Sequence, residues 1–171
     1  MVEDLESGDR LFLASSRLAA YDKKLGKALA AREKAGEDLV GTEGGKYRLV
    51  GRVPGRDLVG LRYEPLFPYF ADHPESFVVL ADDFVTTEDG TGIVHMAPAY
   101  GEDDFRICRA AGIDLVDPLD EEARFQAPVH DFEGLHCKDA DKPIIKRLKD
   151  DGRLLVQSTI EHSYPYCERS D

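Results

Sequence analysis

The chain has no tryptophan, only three cysteines and no long apolar run among its 171 residues. Cys108, Cys137 and Cys167 lie far apart and form no Cys-x-x-Cys pair, which argues against a disulfide framework and a zinc ribbon. No segment approaches the roughly 20 apolar residues of a membrane-spanning helix, and the N-terminus lacks the basic-then-apolar pattern of a signal peptide. We therefore expect a cytoplasmic protein with reduced thiols and no contact with a membrane.

Basic residues are also scarce. The sequence contains 22 Lys and Arg against 34 Asp and Glu, which gives a formal net charge of -12. An independent nucleic-acid-binding domain usually presents a basic surface, because contacts with phosphates supply most of its affinity. If this chain contacts a nucleic acid, another part of the assembly must provide most of the binding. The apolar content of 42% suits one domain over residues 1–171 with a substantial core.

Hydrophobic periodicity predicts an early helix followed by short strands. Residues 15–36 place Leu18, Leu25 and Leu29 at helical spacing, with Ser15 or Ser16 as the N-cap and Gly36 as the stop. Five short apolar runs bounded by turn residues are predicted to be strands: Leu11–Leu13, the KYRLVG segment, Phe77–Leu80, Phe84–Thr86 and Gly92–Met96.

Two further helices and a closing strand follow. The segment GEDDFRICRAAG reads as a helix that ends at Gly112, and DKPIIKRLKDDG reads as a second helix with Pro143 in its first turn. The segment RLLVQSTIEHSYP is predicted to be the last strand. Because strands and helices do not alternate regularly, we predict an α+β fold with an antiparallel, β-barrel-like core and peripheral helices.

The stretch GTGIVHMAPAYGEDDF, from Gly90 to Phe105, contains the main candidates for catalytic or binding residues. A strand, a turn and a helix N-terminus lie together in space, so His95 and Asp104 can flank one cleft. A purely structural interpretation also fits: a core histidine beside a helix whose N-terminus is capped by Glu102 or Asp103. A histidine with nearby acids is weak evidence for a metal site, since further ligands would have to come from elsewhere.

The same stretch resembles the signature of the editing domain that is inserted into isoleucyl-tRNA synthetases. The segments LVGLRYEPLFPYF and HSYPYCERSD extend this resemblance over nearly the whole chain. Such a domain acts as a second selection step, which admits the smaller amino acid and hydrolyses it from the tRNA. One methylene in an apolar pocket changes binding by only about 1–3 kcal/mol, and these synthetases are a standard illustration of that limit. The resemblance therefore implies hydrolysis of valyl-tRNA(Ile), and possible hydrolysis of valyl-adenylate.

The resemblance also implies roles for particular residues. Asp104 matches the family carboxylate that binds the α-ammonium group of the substrate, while Glu102 and Asp103 keep a capping role. His95 matches the pocket histidine that bounds the site against isoleucine. His95 and Asp104 are thus the expected catalytic residues, and no metal is required. The substrate-binding residues that the resemblance implies are Gly90, Thr91, Gly92, His95, Pro98 and Asp104.

The chain departs from the family pattern in two respects. Relatives carry a threonine-rich segment of the Thr-Thr-Pro-Trp-Thr type upstream, and this chain has neither that segment nor the His-Ile-Gly-His and Lys-Met-Ser-Lys-Ser signatures of the aminoacylation core. We therefore expect a fragment that has little or no activity alone. No cofactor is expected here, since ATP and Mg²⁺ belong to the aminoacylation core. The expected partners of a monomeric domain are the valine-bearing 3′ end of tRNA(Ile) and the rest of the synthetase.

Two alternatives to the editing domain remain open from the sequence. The pocket can belong to a noncatalytic module that binds an amino acid or a partner protein, and a deacylation assay would distinguish this from an editing domain. A metal hydrolase that uses His95 and the acids is a third reading. At the C-terminus, His162 and Cys167 invite a zinc assignment, but Ser170 occupies the place of a second cysteine in some relatives, and a structural strand end explains the segment better.

Overall fold

The computed structural model describes residues 1–158. These residues divide into two compact units. The first unit comprises Met1–Pro65 and Ala71–Asp117, and the second comprises Leu66–Phe70 with the described residues from Pro118 onward. Each unit is described separately below. The prediction of one domain over the whole chain stays a prediction.

The regular elements are few and short. The strands are β1 (Val2–Asp4), β2 (Arg10–Leu11) and β3 (Tyr47–Leu49), the α-helices are α1 (Leu18–Tyr21), α2 (Lys23–Lys34), α3 (Glu102–Ala110) and α4 (Cys137–Asp150), and the 3₁₀ helices are Ser15–Arg17, Gly55–Leu58 and Ala127–Phe132. The α+β class is confirmed. No helix in the described part of the chain is long and apolar enough to cross a membrane.

The strands of the first unit form one three-stranded antiparallel sheet in the order β2-β1-β3. Val2 pairs with Leu11 on one side and with Leu49 on the other, and Asp4 pairs with Tyr47. Val2, Tyr47 and Leu49 are buried, as the alternation of side chains along a half-buried strand requires. The KYRLVG strand was thus predicted correctly, whereas the first predicted strand is shorter and begins one residue earlier.

Asp22 interrupts the helix that was predicted over residues 15–36. Its backbone is extended, with φ of −144°, so α1 ends there and α2 begins immediately after it. The Asp22 carboxylate caps α2 by accepting hydrogen bonds from the amides of Lys24 and Leu25. Gly36, with φ of 71°, follows the end of α2 as expected. The prediction of one continuous helix with a serine N-cap was wrong because the aspartate cap lies within the periodic segment.

Three of the predicted strands do not form between residues 77 and 96. Phe77 has a positive φ of 56°, and Val78 makes only an isolated antiparallel bridge with Arg62. Residues 84–86 and 92–96 are irregular. Gly90 and Gly92 both adopt the left-handed conformation, which does not fit a strand. Apolar composition alone therefore misled the prediction: residues 77–79 pair only briefly with residues 60–63, and residues 84–86 and 92–96 pair with no strand among the described residues.

The second unit is built around aromatic packing. Phe67 stacks on Tyr69 at 5.8 Å between ring centroids, and Phe132 packs edge-on against Phe67. The Tyr69 hydroxyl donates a hydrogen bond of 2.6 Å to Asp131. These contacts join Leu66–Phe70 to the Ala127–Phe132 helix of the same unit.

Helix α4 differs in its start from the predicted helix. His136 is the N-cap, and its Nδ1 accepts a hydrogen bond from the Lys138 amide. Because α4 begins at Cys137, Pro143 lies inside the helix rather than in its first turn. A proline at that position cannot donate the usual backbone hydrogen bond. The predicted closing strand is not formed by residues 153–158, and its remainder lies outside the described residues.

Candidate functional site

Residues 87–91 form a loop whose backbone carbonyls are bound by a distant part of the first unit. The Ala14 amide donates to the Thr91 carbonyl at 2.8 Å, and the Ser16 hydroxyl donates to the Thr87 carbonyl at 3.1 Å. The half-buried Arg17 side chain donates from Nε to the Gly90 carbonyl at 2.9 Å. The loop is therefore held by main-chain and side-chain donors from the segment that leads into α1.

Gly90, within this loop, and Gly92, directly after it, have different surroundings. Both have positive φ angles, 53° and 79° respectively. A Cβ atom on Gly90 would meet no other atom within 4 Å, whereas a Cβ on Gly92 would lie 2.4 Å from the Ala14 Cβ. Gly92 thus allows the loop and the residues before α1 to approach closely. That neighbour is protein rather than an open cavity, so the glycine has a packing role that the sequence did not reveal.

Thr91 directs its hydroxyl back to the local backbone. Its Oγ1 donates to the Ile93 carbonyl at 2.9 Å and accepts from the Ile93 amide at 3.2 Å. Such local side-chain bonds are typical of threonine in turns. The arrangement fixes the turn between Gly90 and Ile93 and leads the chain into the exposed Ile93–His95 segment.

His95 is exposed, not buried in a core as the structural interpretation assumed. Its imidazole makes no hydrogen bond or ion pair with any residue that the structure describes. The adjoining Ile93 and Val94 are each 50% exposed. Pro98 is half-buried and leads into the turn closed by the Tyr100 amide and the Ala97 carbonyl, at 2.9 Å. The segment therefore presents an imidazole beside apolar side chains at the surface of the first unit.

Asp104 is the acidic residue that contacts this segment. Its Oδ2 accepts a hydrogen bond of 2.8 Å from the Ala97 amide. The other oxygen, Oδ1, accepts no hydrogen bond within residues 1–158. The structure thus places one half-buried carboxylate against the backbone two residues after His95. No hydrogen bond or ion pair joins the side chains of His95 and Asp104 in the described part of the chain.

The three acids of the run occupy the first turn of α3 but do not cap it through side-chain hydrogen bonds. The N-cap residue is Gly101, and a Cβ there would lie 2.9 Å from Asp104 Cγ. The expected capping role of Glu102 and Asp103 is therefore corrected: Glu102 is exposed, and Asp103 forms an ion pair of 3.1 Å with Arg106. Their charges still favour the positive end of the helix dipole.

Arg106 anchors α3 to the segment before the loop. Its Nη1 and Nη2 donate to the two oxygens of Asp82, each at 3.1 Å. The hydrogen bonds from Arg106 lower the pKa of the Asp82 carboxyl despite the opposing effect of desolvation. This paired geometry fixes direction as well as distance. Helix α3 and the carboxylate of Asp104 on it are therefore connected to residues on both sides of the loop.

Cys108 lies on the buried side of α3 and is a free thiol, as is the half-buried Cys137. Burial raises the pKa of the Cys108 thiol, and the negative charge of Asp104 raises it further. A thiol with a raised pKa is protonated near neutral pH and is a poor nucleophile. Cys108 therefore has a packing role.

Metal-ligating side chains do not converge in the described residues. No group of three or more His, Cys, Asp or Glu residues there is arranged to hold an ion. The possible ligands His162 and Cys167, together with Ser170, lie outside the described residues. The same holds for the HSYPYCERSD segment.

The donors that hold the loop were not predicted from the sequence. Ser16 and Arg17 were assigned to the start of the helix over residues 15–36, Ala14 was assigned to no element, and no local pattern distinguishes these three residues. The Arg17–Gly90 bond joins residues 73 positions apart, and hydrophobic periodicity contains no information about such pairs.

Comparison with known proteins shows strong similarity to one kind of enzyme. The chain is 54% identical over 133 residues to the cytoplasmic isoleucine–tRNA ligase of Saccharomyces cerevisiae, an alignment that covers 74% of the chain. It is 45% identical to the isoleucine–tRNA ligase of Corynebacterium efficiens over 95% of its length, and 42% identical to that of Bdellovibrio bacteriovorus over 99%. The chain spans only 12–15% of the length of these relatives. No protein-family model matches it.

Proposed function

The chain belongs to the isoleucine–tRNA ligase family, being homologous to one segment of those enzymes, and we propose that this segment is the editing domain that hydrolyses valyl-tRNA(Ile). The observation that supports the proposal most directly is the Asp104–Ala97 hydrogen bond. It holds a carboxylate beside the segment from His95 to Pro98, and one oxygen of that carboxylate is free of described partners.

The proposed role of Asp104 is to bind the α-ammonium group of the esterified amino acid. Oδ2 is fixed by the Ala97 amide, so Oδ1 is the oxygen to which this role is assigned. A charge-assisted hydrogen bond of this kind is stronger than one between neutral groups. It would distinguish an aminoacylated tRNA end from a bare one. The side chain of the amino acid would then meet Ile93, Val94 and His95, which bound the site.

The proposed reaction is the hydrolysis of an ester. A water oxygen attacks the carbonyl carbon of the valyl ester, the bond between that carbon and the ribose oxygen breaks, and the ribose oxygen takes up a proton. Valine and free tRNA(Ile) are the products. His95 is exposed and free of described partners, which suits contact with the terminal ribose or the water. No residue is assigned as general base, and no metal takes part.

The partners and the cellular location of the domain are also part of the proposal. Its partners are the 3′ end of tRNA(Ile) carrying valine and the remainder of the ligase, and its location is the cytoplasm, in agreement with the name of the yeast relative. The net charge of -12 disfavours strong binding of the tRNA body. We therefore expect weak, transient contact with the acceptor end alone. A barrel-like core around the three-stranded sheet is likewise part of the proposal.

A release assay with preformed valyl-tRNA(Ile) tests the proposal in the full-length ligase that contains this segment. We expect Asp104→Ala to abolish most valine release while isoleucine activation stays normal. The matched control is Asp103→Ala, which removes the adjacent acid and its ion pair with Arg106 but leaves the Ala97 contact.

Three outcomes would overturn the proposal or the role it gives to Asp104. If Asp104→Ala releases valine as fast as the unmodified enzyme, Asp104 is only a backbone anchor. If the unmodified enzyme binds valyl-tRNA(Ile) without releasing valine, the segment is a noncatalytic binding module. Activity that disappears with a chelator and returns with zinc would instead indicate a metal hydrolase.

A further inference from the structure

The Arg17 guanidinium donates hydrogen bonds to backbone carbonyls of the loop formed by residues 87–91. Nε donates to the Gly90 carbonyl at 2.9 Å, and Nη1 donates to the Glu88 carbonyl. The two acceptors flank Asp89, so one planar side chain fixes the curvature of the loop at that point. No carboxylate in the described residues forms an ion pair with Arg17.

An arginine in this position is suited to hold a loop of fixed shape. Its guanidinium donates several hydrogen bonds from a rigid planar fork, whereas a lysine ammonium is a single charged point on a flexible chain. Both Gly90 and Gly92 adopt left-handed conformations that a free loop would leave readily. The Arg17 contacts with the Glu88 and Gly90 carbonyls restrict the backbone at Gly90, while Gly92 is restricted by its close approach to Ala14.

Neighbouring residues reinforce the same contact. Ser16 donates to the Thr87 carbonyl, Ala14 donates to the Thr91 carbonyl, and Gly92 packs against Ala14. Arg17 is the charged member of this set, and it binds the part of the loop directly before Thr91. Loss of the guanidinium would free the loop between the points held by Ser16 and Ala14.

We propose that Arg17 is a positioning residue for the editing reaction: it orders the loop around Gly90 and Thr91 so that the backbone of this loop meets the aminoacyl end in one geometry. The inference rests on the proposed function. Arg17 contacts the loop and not the substrate, so it acts on the alignment of the ester and leaves the ammonium contact at Asp104 in place.

The test is steady-state valine release by the full-length ligase that contains this segment, comparing the unmodified enzyme with Arg17→Ala and Arg17→Lys. Small displacements of aligned groups cost up to about a hundredfold in rate, so we expect Arg17→Ala to lower kcat by about tenfold or more. KM should change by less than about threefold, because the ammonium contact at Asp104 persists. Arg17→Lys should recover part of kcat, since an ammonium group can bind one of the two carbonyls.

Two variants separate alignment from general destabilisation. Arg56→Ala is the matched control, because Arg56 is 84% exposed on its side chain and pairs only with its neighbour Asp57 among the described residues. It should leave kcat unchanged. Ser16→Ala removes a single neutral hydrogen bond to the same loop and should lower kcat by about two- to tenfold. Ser16→Ala and Arg17→Lys provide the test even if Arg17→Ala does not fold.

The outcomes distinguish the inference from the function beneath it. If the unmodified enzyme releases valine and the Arg17 and Ser16 variants release it at the same rate, the positioning role is overturned and the proposed function stands. A fall in kcat that follows the loss of folded protein, with no recovery by lysine, also overturns it. If the unmodified enzyme releases no valine, the proposed function itself has failed.

Discussion

The Asp104 carboxylate accepts a hydrogen bond of 2.8 Å from the backbone amide of Ala97. This bond joins the first turn of α3 to Ala97, the residue at which the turn closed by the Tyr100 amide begins. Because only Oδ2 is used, the contact both fixes the carboxylate and leaves its second oxygen without a described partner.

Asp104→Asn separates the charge of this group from its structural bond. An asparagine amide oxygen can still accept from the Ala97 amide, but it cannot neutralise an ammonium group. Hydrogen bonds to charged groups contribute about 1.5–3 kcal/mol, so we expect valine release to fall by about ten- to a hundredfold with little change in Tm. Asp103→Asn is the control. Full retention of release by Asp104→Asn would show that the charge has no role.

Gly92→Ala is expected to destabilise the protein more than Gly90→Ala. Both substitutions place an alanine in the left-handed region, at a cost of about 1–2 kcal/mol. Only the Gly92 substitution also forces a Cβ to within 2.4 Å of the Ala14 Cβ. The total cost there is about 2–5 kcal/mol. Urea unfolding of the two variants measures the difference, and equal losses would mean that the Ala14 contact yields easily.

The Asp22 carboxylate is expected to form an acid-sensitive connection between α2 and β3. Burial opposes its ionisation, but hydrogen bonds from the amides of Lys46, Leu25, Gly45 and Tyr47 outweigh this effect and hold the pKa of Asp22 well below its ordinary value. The resulting stabilisation is full above the unfolded pKa of about 3.9 and is lost as the pH falls toward the folded value.

Asp22→Asn should therefore lower the free energy of unfolding by about 1.5–3 kcal/mol at neutral pH and weaken its dependence on pH below about 4. Unfolding curves at several pH values measure both effects. Asp38→Asn is the control, because Asp38 is exposed and its carboxylate accepts, within residues 1–158, a hydrogen bond from the Val40 amide alone. Similar losses in the two variants would contradict the connecting role of Asp22.

Tyr69 should ionise at unusually high pH. Burial, and then its hydrogen bond to Asp131, raise the pKa of Tyr69 to about 12. Because the neutral phenol is favoured in the folded state, its contribution to stability is full below about pH 10 and is lost as the pH rises toward 12.

An alkaline absorbance titration, with Tyr69→Phe to identify the signal, measures this ionisation. Asp131→Asn should move the signal toward the ordinary pKa of about 10. A Tyr69 signal at the ordinary pKa in the unmodified chain would contradict the hydrogen bond.

Local signals predicted the elements that depend on local interactions. Helix α3 was predicted nearly to the residue, because three acids lie in its first turn and Gly112, with φ of 77°, follows its end. Strand β3 lies within the KYRLVG segment, which was predicted as a strand from its apolar residues and the turn residues that bound it. The resemblance also selected Asp104 from three adjacent acids. In the structure Asp104, and not Asp103, contacts the segment from His95 to Pro98. Its role remains a prediction.

Contacts between distant residues could not be predicted in this way. The strand expected at Gly92–Met96 contains the right residue types, but a strand also requires a partner, and none pairs with it in the described chain. The bond between Arg17 and Gly90 likewise depends on how the chain folds back over 73 positions. Asp22 was missed as a cap because helical periodicity continues across it.

The exposed apolar side chains have a consequence for the behaviour of many copies in solution. The exposed side chains of Ile93 and Val94 favour association between molecules, while the net charge of -12 on each copy opposes close approach. This repulsion extends only about 10 Å at 0.1 M salt. A pH near the isoelectric point, or concentrated salt, removes the repulsion and leaves the apolar attraction intact. The excess of carboxylates therefore keeps the molecules apart at neutral pH and moderate salt.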